Sequence, residues 1–172
     1  PGDVMEDKVV KDINLITQNP EISIVVETMG GTKPAYAFVK ACLEAGKHVA
    51  TSNKELVAAH GPELLEIAKA HHVSFLFEAS VGGGIPIIRP LVSSITSDAV
   101  TEITGILNGT TNYMLTKMSE DGLDYDAVLE DAQERGYAER NPAADVEGHD
   151  ARRKIAILSS LAFGKYVDYE DV

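Results

Sequence analysis

The chain has 172 residues, 44% hydrophobic and 24% charged, enough to bury a real core in one large domain or two smaller pieces. Fifteen basic residues against 27 acidic leave a net charge of −12, which argues against a general electrostatic grip on nucleic acid or on an anionic membrane. No apolar run approaches the roughly 20 residues of a membrane span, no basic-then-apolar leader opens the sequence, and a single cysteine, Cys42, excludes an internal disulfide framework, so the expectation is a soluble, globular, cytoplasmic protein.

Pro1 to Lys11 reads as charged and irregular. Ile22 to Thr28 is a short β-branched run closed by Gly30-Gly31, the pattern of a buried strand. Pro34 to Ala45 follows with helical spacing; Pro34 suits a first turn and Gly46 the position past the end. His48 to Ser52 is a second strand, Glu63 to His72 a helix, and Val73 to Glu78 a third strand. Strands and helices alternating with short links predict a parallel sheet with helices packed on it. Ligands of such sheets sit at the carboxyl ends of the strands, here Glu27-Thr28, Thr51-Ser52-Asn53-Lys54 and Glu78-Ala79-Ser80.

Val81 to Pro86 reads as a flexible joint, which divides the chain into residues 1–80 and 81–172. Ile85 to Thr96 reads as a helix that Pro90 kinks or breaks. Val100 to Leu107 reads as a strand ended by Asn108-Gly109, with Thr110 or Thr111 capping a helix to about Ser119. Tyr125 to Arg135 is a helix closed by Gly136, and Glu147 to Phe163 is the last, closed by Gly164.

The last helix carries the sharpest local signal. At about 100° per residue, Ala151, Ile155 and Ala162 share the side of Leu158, and Lys154 lies within about 40° of that stripe. Arg152 and Arg153 fall on the far side. Asp150 precedes Lys154 by four residues, the favourable acid-then-base order. An inward lysine is costly unless it is paired or lines a cleft, and burial moves it toward the range of an acid–base catalyst. A structural Asp–Lys pair fits the same spacing. Glu139, Asp145, Glu147 and Asp150 can converge with Lys154 on a substrate bearing an amino group, or simply answer the dipole of the helix that follows. Ser80-Val81-Gly82-Gly83-Gly84 lets backbone approach a ligand or an ion, or acts as a hinge. Cys42 sits on an apolar face, His71 and His72 diverge, and Asn108-Gly109-Thr110 matches a glycosylation acceptor without a secretion signal to support that use.

Three long stretches resemble the homoserine dehydrogenase family. They are Phe77-Glu78-Ala79-Ser80-Val81-Gly82-Gly83-Gly84-Ile85-Pro86-Ile87-Ile88, Gly105 to Tyr113, and Gly136-Tyr137-Ala138-Glu139 through Asp145 to Lys154. Val26 to Gly31 and Thr51-Ser52-Asn53-Lys54 resemble it too, in order and at similar spacing. The resemblance implies an α/β fold: a partial Rossmann-like parallel sheet, the C-terminal half of a dinucleotide-binding domain, over residues 1–80, then part of an α+β substrate and dimerisation domain over 81–172. It implies NADPH- or NADH-dependent reduction of aspartate semialdehyde to homoserine, on the way to threonine and methionine.

By position, Lys154 resembles the catalytic lysine and Asp150 its partner carboxylate. Glu139 and Asp145 resemble the carboxylates that bind the substrate amino group; Tyr137, Gly109 and Thr110 resemble further substrate contacts. Lys54 resembles the strand-end lysine between nicotinamide and substrate, and Thr28 belongs with it on the cofactor side. Glu78, Val81, Gly83 and Ile85 resemble a sodium or potassium site made of backbone oxygens. The implied partners are a small-molecule substrate and a second copy in a homodimer, with neither nucleic acid nor membrane. Asn141-Pro142 stands where family members carry Asp-Pro. No glycine-rich dinucleotide fingerprint is present, so the chain is expected to begin inside that domain, to end before the returning strands, and to turn over weakly or not at all by itself. A non-catalytic interaction module and a related semialdehyde dehydrogenase are the competing readings.

Overall fold

The computed structural model describes residues 8–95 and 97–172. Residues 1–7 of the irregular opening and Thr96, the end of one expected helix, lie outside the described residues. The chain separates into two compact units, one ending at Phe77 and the other running from Glu78 to Val172.

The first unit holds α1 (Asn14–Thr17), β1 (Ile24–Glu27), α2 (Ala35–Glu44), β2 (His48–Thr51), α3 (Lys54–Ala70) and β3 (Phe75–Leu76). The sheet order is β1-β2-β3 and both pairs are parallel, with Val25 beside Val49 and Val49 beside Phe75. Parallel neighbours need a crossover, and the two helices supply it. Val49, Thr51, Phe75 and Glu27 are buried on the face that α2 and α3 cover, whereas Ile24, Val26 and Leu76 are exposed on the other. All three expected strands form. The third stops at Leu76 because the chain turns at Glu78 into the next helix.

The helix expected from Glu63 instead begins at Lys54. Gly61 and Pro62, both poor helix residues, lie inside α3. Two features carry the helix through. Asn53 caps it, accepting the Leu56 N–H at 3.1 Å. A continuous buried stripe of Leu56, Val57, Gly61, Leu64 and Ala68 then packs on α2 and β3, which outweighs one missing donor.

The second unit holds α4 (Ala79–Gly82), a π-helical turn (Pro90–Ser94), α5 (Gly109–Asp121), α6 (Tyr125–Glu134), α7 (Ala143–Val146), α8 (His149–Phe163) and a closing 3-10 turn (Tyr169–Asp171). Met114, Val128, Ala132 and Ala138 form the core between α5 and α6. Four expectations change here. The joint at Val81 begins as the end of α4. The helix expected from Ile85 begins at Ile88, so Pro90 falls in its first turn, where a missing N–H is tolerated, and a π turn follows over Pro90–Ser94. Val100 to Leu107 forms no strand, because no other strand lies among the described residues of this unit to share a ladder. Finally, α8 starts at His149 rather than Glu147, because Gly148 adopts φ +78°, a left-handed break that sets Ala143–Val146 apart as its own short helix. Among the described residues no helix is long and apolar enough to cross a membrane.

Candidate active site

The centre of the second unit is one turn of α8. Asp150 and Lys154 meet at 2.7 Å, with side chains only 7% and 14% exposed. The phase read from the sequence therefore holds for Lys154. It fails for Arg152 and Arg153, which are half-buried rather than solvated. Both guanidinium groups lie over the Tyr169 ring, at 5.3 and 5.8 Å from its centroid, a cover supplied by residues beyond the helix.

Lys154 Nζ also donates to the Leu107 carbonyl at 2.8 Å. An ammonium has three hydrogens. Two are engaged, by Asp150 and Leu107, and the third meets no protein group among the described residues. The next residue, Asn108, is buried and caps α5: its Oδ1 accepts the Thr111 N–H at 2.8 Å. The cap is thus Asn108, not Thr110 or Thr111, because a side-chain oxygen at the last extended residue reaches the third N–H of the helix. Asn108 Nδ2 donates to Asp145 Oδ1 at 2.7 Å and to Asp150 Oδ2 at 3.0 Å. Thr110 Oγ1 donates to the Tyr137 carbonyl at 2.7 Å, and the Tyr137 ring packs edge-on against Tyr113 at 4.9 Å.

Hydrogen bonds thus gather Asp145, Asp150 and Lys154 around Asn108, and tie Thr110 of the same helix start to Tyr137. Gly109, the first residue of α5, presents an open flank, with nothing within 4 Å of where a Cβ would lie. Glu139 is exposed, two residues past Tyr137, and its carbonyl accepts Gln133 Nε2 at 3.0 Å; among the described residues no hydrogen bond carries its carboxylate into the cluster. An open groove of about 500 Å³ flanks α8, lined by Gly105, Leu107, Gly148, Ala151 and Ile155 among others. Of the carboxylates expected to converge with Lys154, Glu147 lines it, and Glu139, Asp145 and Asp150 do not.

The glycine loop carries Glu78, Val81, Gly83 and Ile85. Both carboxylate oxygens of Glu78 accept backbone hydrogens: Oε1 from Ile87 at 2.6 Å and Ile88 at 2.7 Å, Oε2 from Arg89 at 2.7 Å. Burial pushes this carboxyl up, but the three N–H groups and the Arg89 charge together outweigh burial and hold it below the ordinary carboxylate value. The Glu78 side chain is therefore occupied. Val81 is buried, Gly83 has φ +60°, and Ile85 is exposed with its N–H donated to the Gly82 carbonyl at 3.0 Å. No cluster of three or more His, Cys, Asp or Glu able to hold a metal occurs among the described residues. The loop offers carbonyls, a donor set compatible with a hard monovalent ion.

In the first unit, Thr28 is exposed just past β1, and Lys54 is the half-buried first residue of α3. Both flank a buried relay. Glu27 accepts the Met29 N–H at 2.6 Å and the Thr51 hydroxyl at 2.5 Å. Thr51 accepts the Asn53 N–H at 2.9 Å, and Asn53 Nδ2 donates to the Gly31 carbonyl at 2.7 Å. The loops after β1 and β2 are thereby tied to one another at the carboxyl edge of the sheet.

Residues 86–172 match the family model described as homoserine dehydrogenase. The chain belongs to the homoserine dehydrogenase family. Residues 2–78 match the model described as homoserine dehydrogenase, NAD binding domain. A homoserine dehydrogenase of Synechocystis is 52% identical over 161 residues, covering 94% of this chain and 37% of the relative. The crystal structure of a homoserine dehydrogenase from Thiobacillus denitrificans superposes with a TM-score of 0.87 at 45% identity, covering 92% of this chain and 37% of that one. A hyperthermophilic archaeal homoserine dehydrogenase in complex with NADPH superposes with a TM-score of 0.82 at 30% identity, covering 91% and 48%. The chain spans less than two fifths of the length of the curated relatives it matches. The fold is α/β with a Rossmann-like parallel sheet, as in these homoserine dehydrogenases.

Three polar groups of the two sites escaped sequence reasoning: Asn108, the Leu107 carbonyl and Glu27 as a loop anchor. The signal for Asn108 was a capping residue ahead of a helix, and capping alone says nothing of its amide hydrogens. No sequence signal marks a carbonyl that holds a lysine.

Proposed function

We propose that this chain carries catalytic and cofactor-side parts of an NAD(P)-dependent homoserine dehydrogenase, which interconverts aspartate semialdehyde and homoserine. What supports this most directly is the Lys154 ammonium, held by Asp150 and Leu107 with one hydrogen left over, beside a second carboxylate, Asp145. Asp145 keeps one oxygen clear of protein donors among the described residues, which suits the substrate ammonium; Glu139 is the second carboxylate for that group. The N–H groups of Gly109 and Thr110 open α5 and suit the substrate carboxylate, an anion at a helix start.

When bound, a nicotinamide would supply the hydride for the aldehyde carbon. Oxygen there becomes an alkoxide, and Lys154 gives it the unengaged proton, with Asp150 and the Leu107 carbonyl holding the amine in place. The carboxyl edge of a parallel sheet is where such a cofactor fits. Thr28 and Lys54 stand there, with Gly30 open to close approach; we assign both to the cofactor side, NADPH being the ligand of the archaeal relative. The finer assignments belong to the same reading: residues 1–80 as the dinucleotide-binding part and 81–172 as the substrate-binding part, a sodium or potassium ion on the carbonyls of Glu78, Val81, Gly83 and Ile85, a homodimer, a cytoplasmic place, and a step toward threonine and methionine.

Lys154→Arg is the test. Arginine keeps a cation on Asp150 but does not give up a proton. In a chain extended to the length of its relatives, the variant should fold, bind NADPH, and lose roughly 10²- to 10⁴-fold in turnover of homoserine. Wild-type turnover by Lys154→Arg would sink the catalytic reading and leave a structural ion pair.

A further inference from the structure

We propose that Asn108 is a positioning residue that couples capture of the substrate ammonium to delivery of the proton, its two amide hydrogens bridging Asp145 and Asp150. The proposal rests on the reading of Asp145 and Lys154 given above. It starts from an orientation that the hydrogen bonds fix. Oδ1 accepts the Thr111 N–H at 2.8 Å, and the opposite end of the amide faces two groups that, when ionised, only accept. A reversed amide would turn its oxygen on two carboxylates and its hydrogens on a donor.

Each amide hydrogen therefore serves a different carboxylate. One goes to Asp145 in α7, the other to Asp150 in α8. On Asp150 it lands on Oδ2, the same oxygen that accepts Lys154 Nζ at 2.7 Å. The preceding carbonyl, Leu107, holds Lys154 as well. One short stretch of chain, Leu107-Asn108, thus sets the lysine by its backbone and both carboxylates by its side chain. A shift of the amide displaces the ammonium-binding oxygen and the proton-donating pair together.

Capping does not explain this choice of residue. Ser, Thr and Asp cap a helix about as well, and none of them donates two hydrogens. Without the amide, the two carboxylates would have lost the donor group that separates them. The neutral dipole holds them side by side without adding a second cation that would compete with the substrate.

The test separates the cap from the amide. Asn108→Ser keeps a capping oxygen and removes both donors. In the full-length enzyme it should lower the melting temperature by several degrees while still folding, leave the NADPH Kd close to wild type, raise the homoserine KM roughly tenfold and lower kcat roughly tenfold. Combined with Asp145→Ala, it should worsen KM by less than about twofold beyond Asp145→Ala alone, because the two changes break one link. Should Asn108→Ser melt too early for the standard assay, kcat and KM measured below its transition, with the folded fraction counted by NADPH binding, read the same two changes. Wild-type kcat and KM in a folded Asn108→Ser would overturn the positioning role, and KM effects that simply multiply would overturn the coupling. A wild-type enzyme that does not turn over homoserine would instead remove the reading beneath the proposal, a failure visible without any variant.

Discussion

The two units hold their polar groups in place by different means. In the first, the carboxyl edge of a parallel sheet does the placing. Ladder register aligns Glu27 with Thr51, and one buried relay joins the loops that follow. In the second, the described residues contain no ladder near the site. Three helix starts, those of α5, α7 and α8, meet at a single amide. Geometry in the sheet half is thus distributed over many backbone bonds, whereas in the helical half it is concentrated in a few side chains. Distributed geometry tolerates the loss of one group; concentrated geometry does not.

The sharpest way to break that contrast is Lys154→Met. It strips the cation from a buried Asp150, and about 3 kcal/mol or more of stability should go with it in a urea titration. Glu27→Gln makes the matching cut in the sheet half. There the ladder remains, so the expected cost is about 1–2 kcal/mol, with NADPH bound roughly tenfold more weakly and homoserine affinity unchanged. A larger loss from Glu27→Gln than from Lys154→Met would reverse the comparison.

Glu78→Gln probes the glycine loop and should cost about 1 kcal/mol at neutral pH. The wild-type carboxyl is held below its ordinary value of 4.5. The stability it lends is therefore complete above that value and fades as the pH falls through the lower folded value. Melting curves of wild type and variant should converge on the acid side; a constant gap would mean that charge plays no part. Smallest of all, Asp121→Asn removes an exposed pair with Lys117 one turn away, and should leave the urea midpoint indistinguishable from wild type.

Much of the first unit was legible because its signals are local. Short β-branched runs with short links specify parallel strands, and all three were found. The start of α3 was hidden because Gly61 and Pro62 are both poor helix residues, while the packing that overrides them involves α2 and β3. In the second unit, helical phase alone placed Lys154 inward and Asp150 beside it. The same phase misplaced Arg152 and Arg153, since Tyr169 comes from beyond the helix. Val100 to Leu107 has the composition of a strand, but a strand also needs a neighbour. The amide of Asn108 was the least legible feature: its partners lie 37 and 42 residues further on, and no local pattern reports a contact at that distance.

The grip of the Leu107 carbonyl on Lys154 has a thermal consequence. A lysine side chain free in water samples many rotamers, and freezing it costs roughly 2 kcal/mol. With its head fixed by a main-chain oxygen and a carboxylate, that ordering is completed when the chain folds. An arriving ligand meets a side chain that has already stopped moving, so little of the entropy change on binding should come from Lys154.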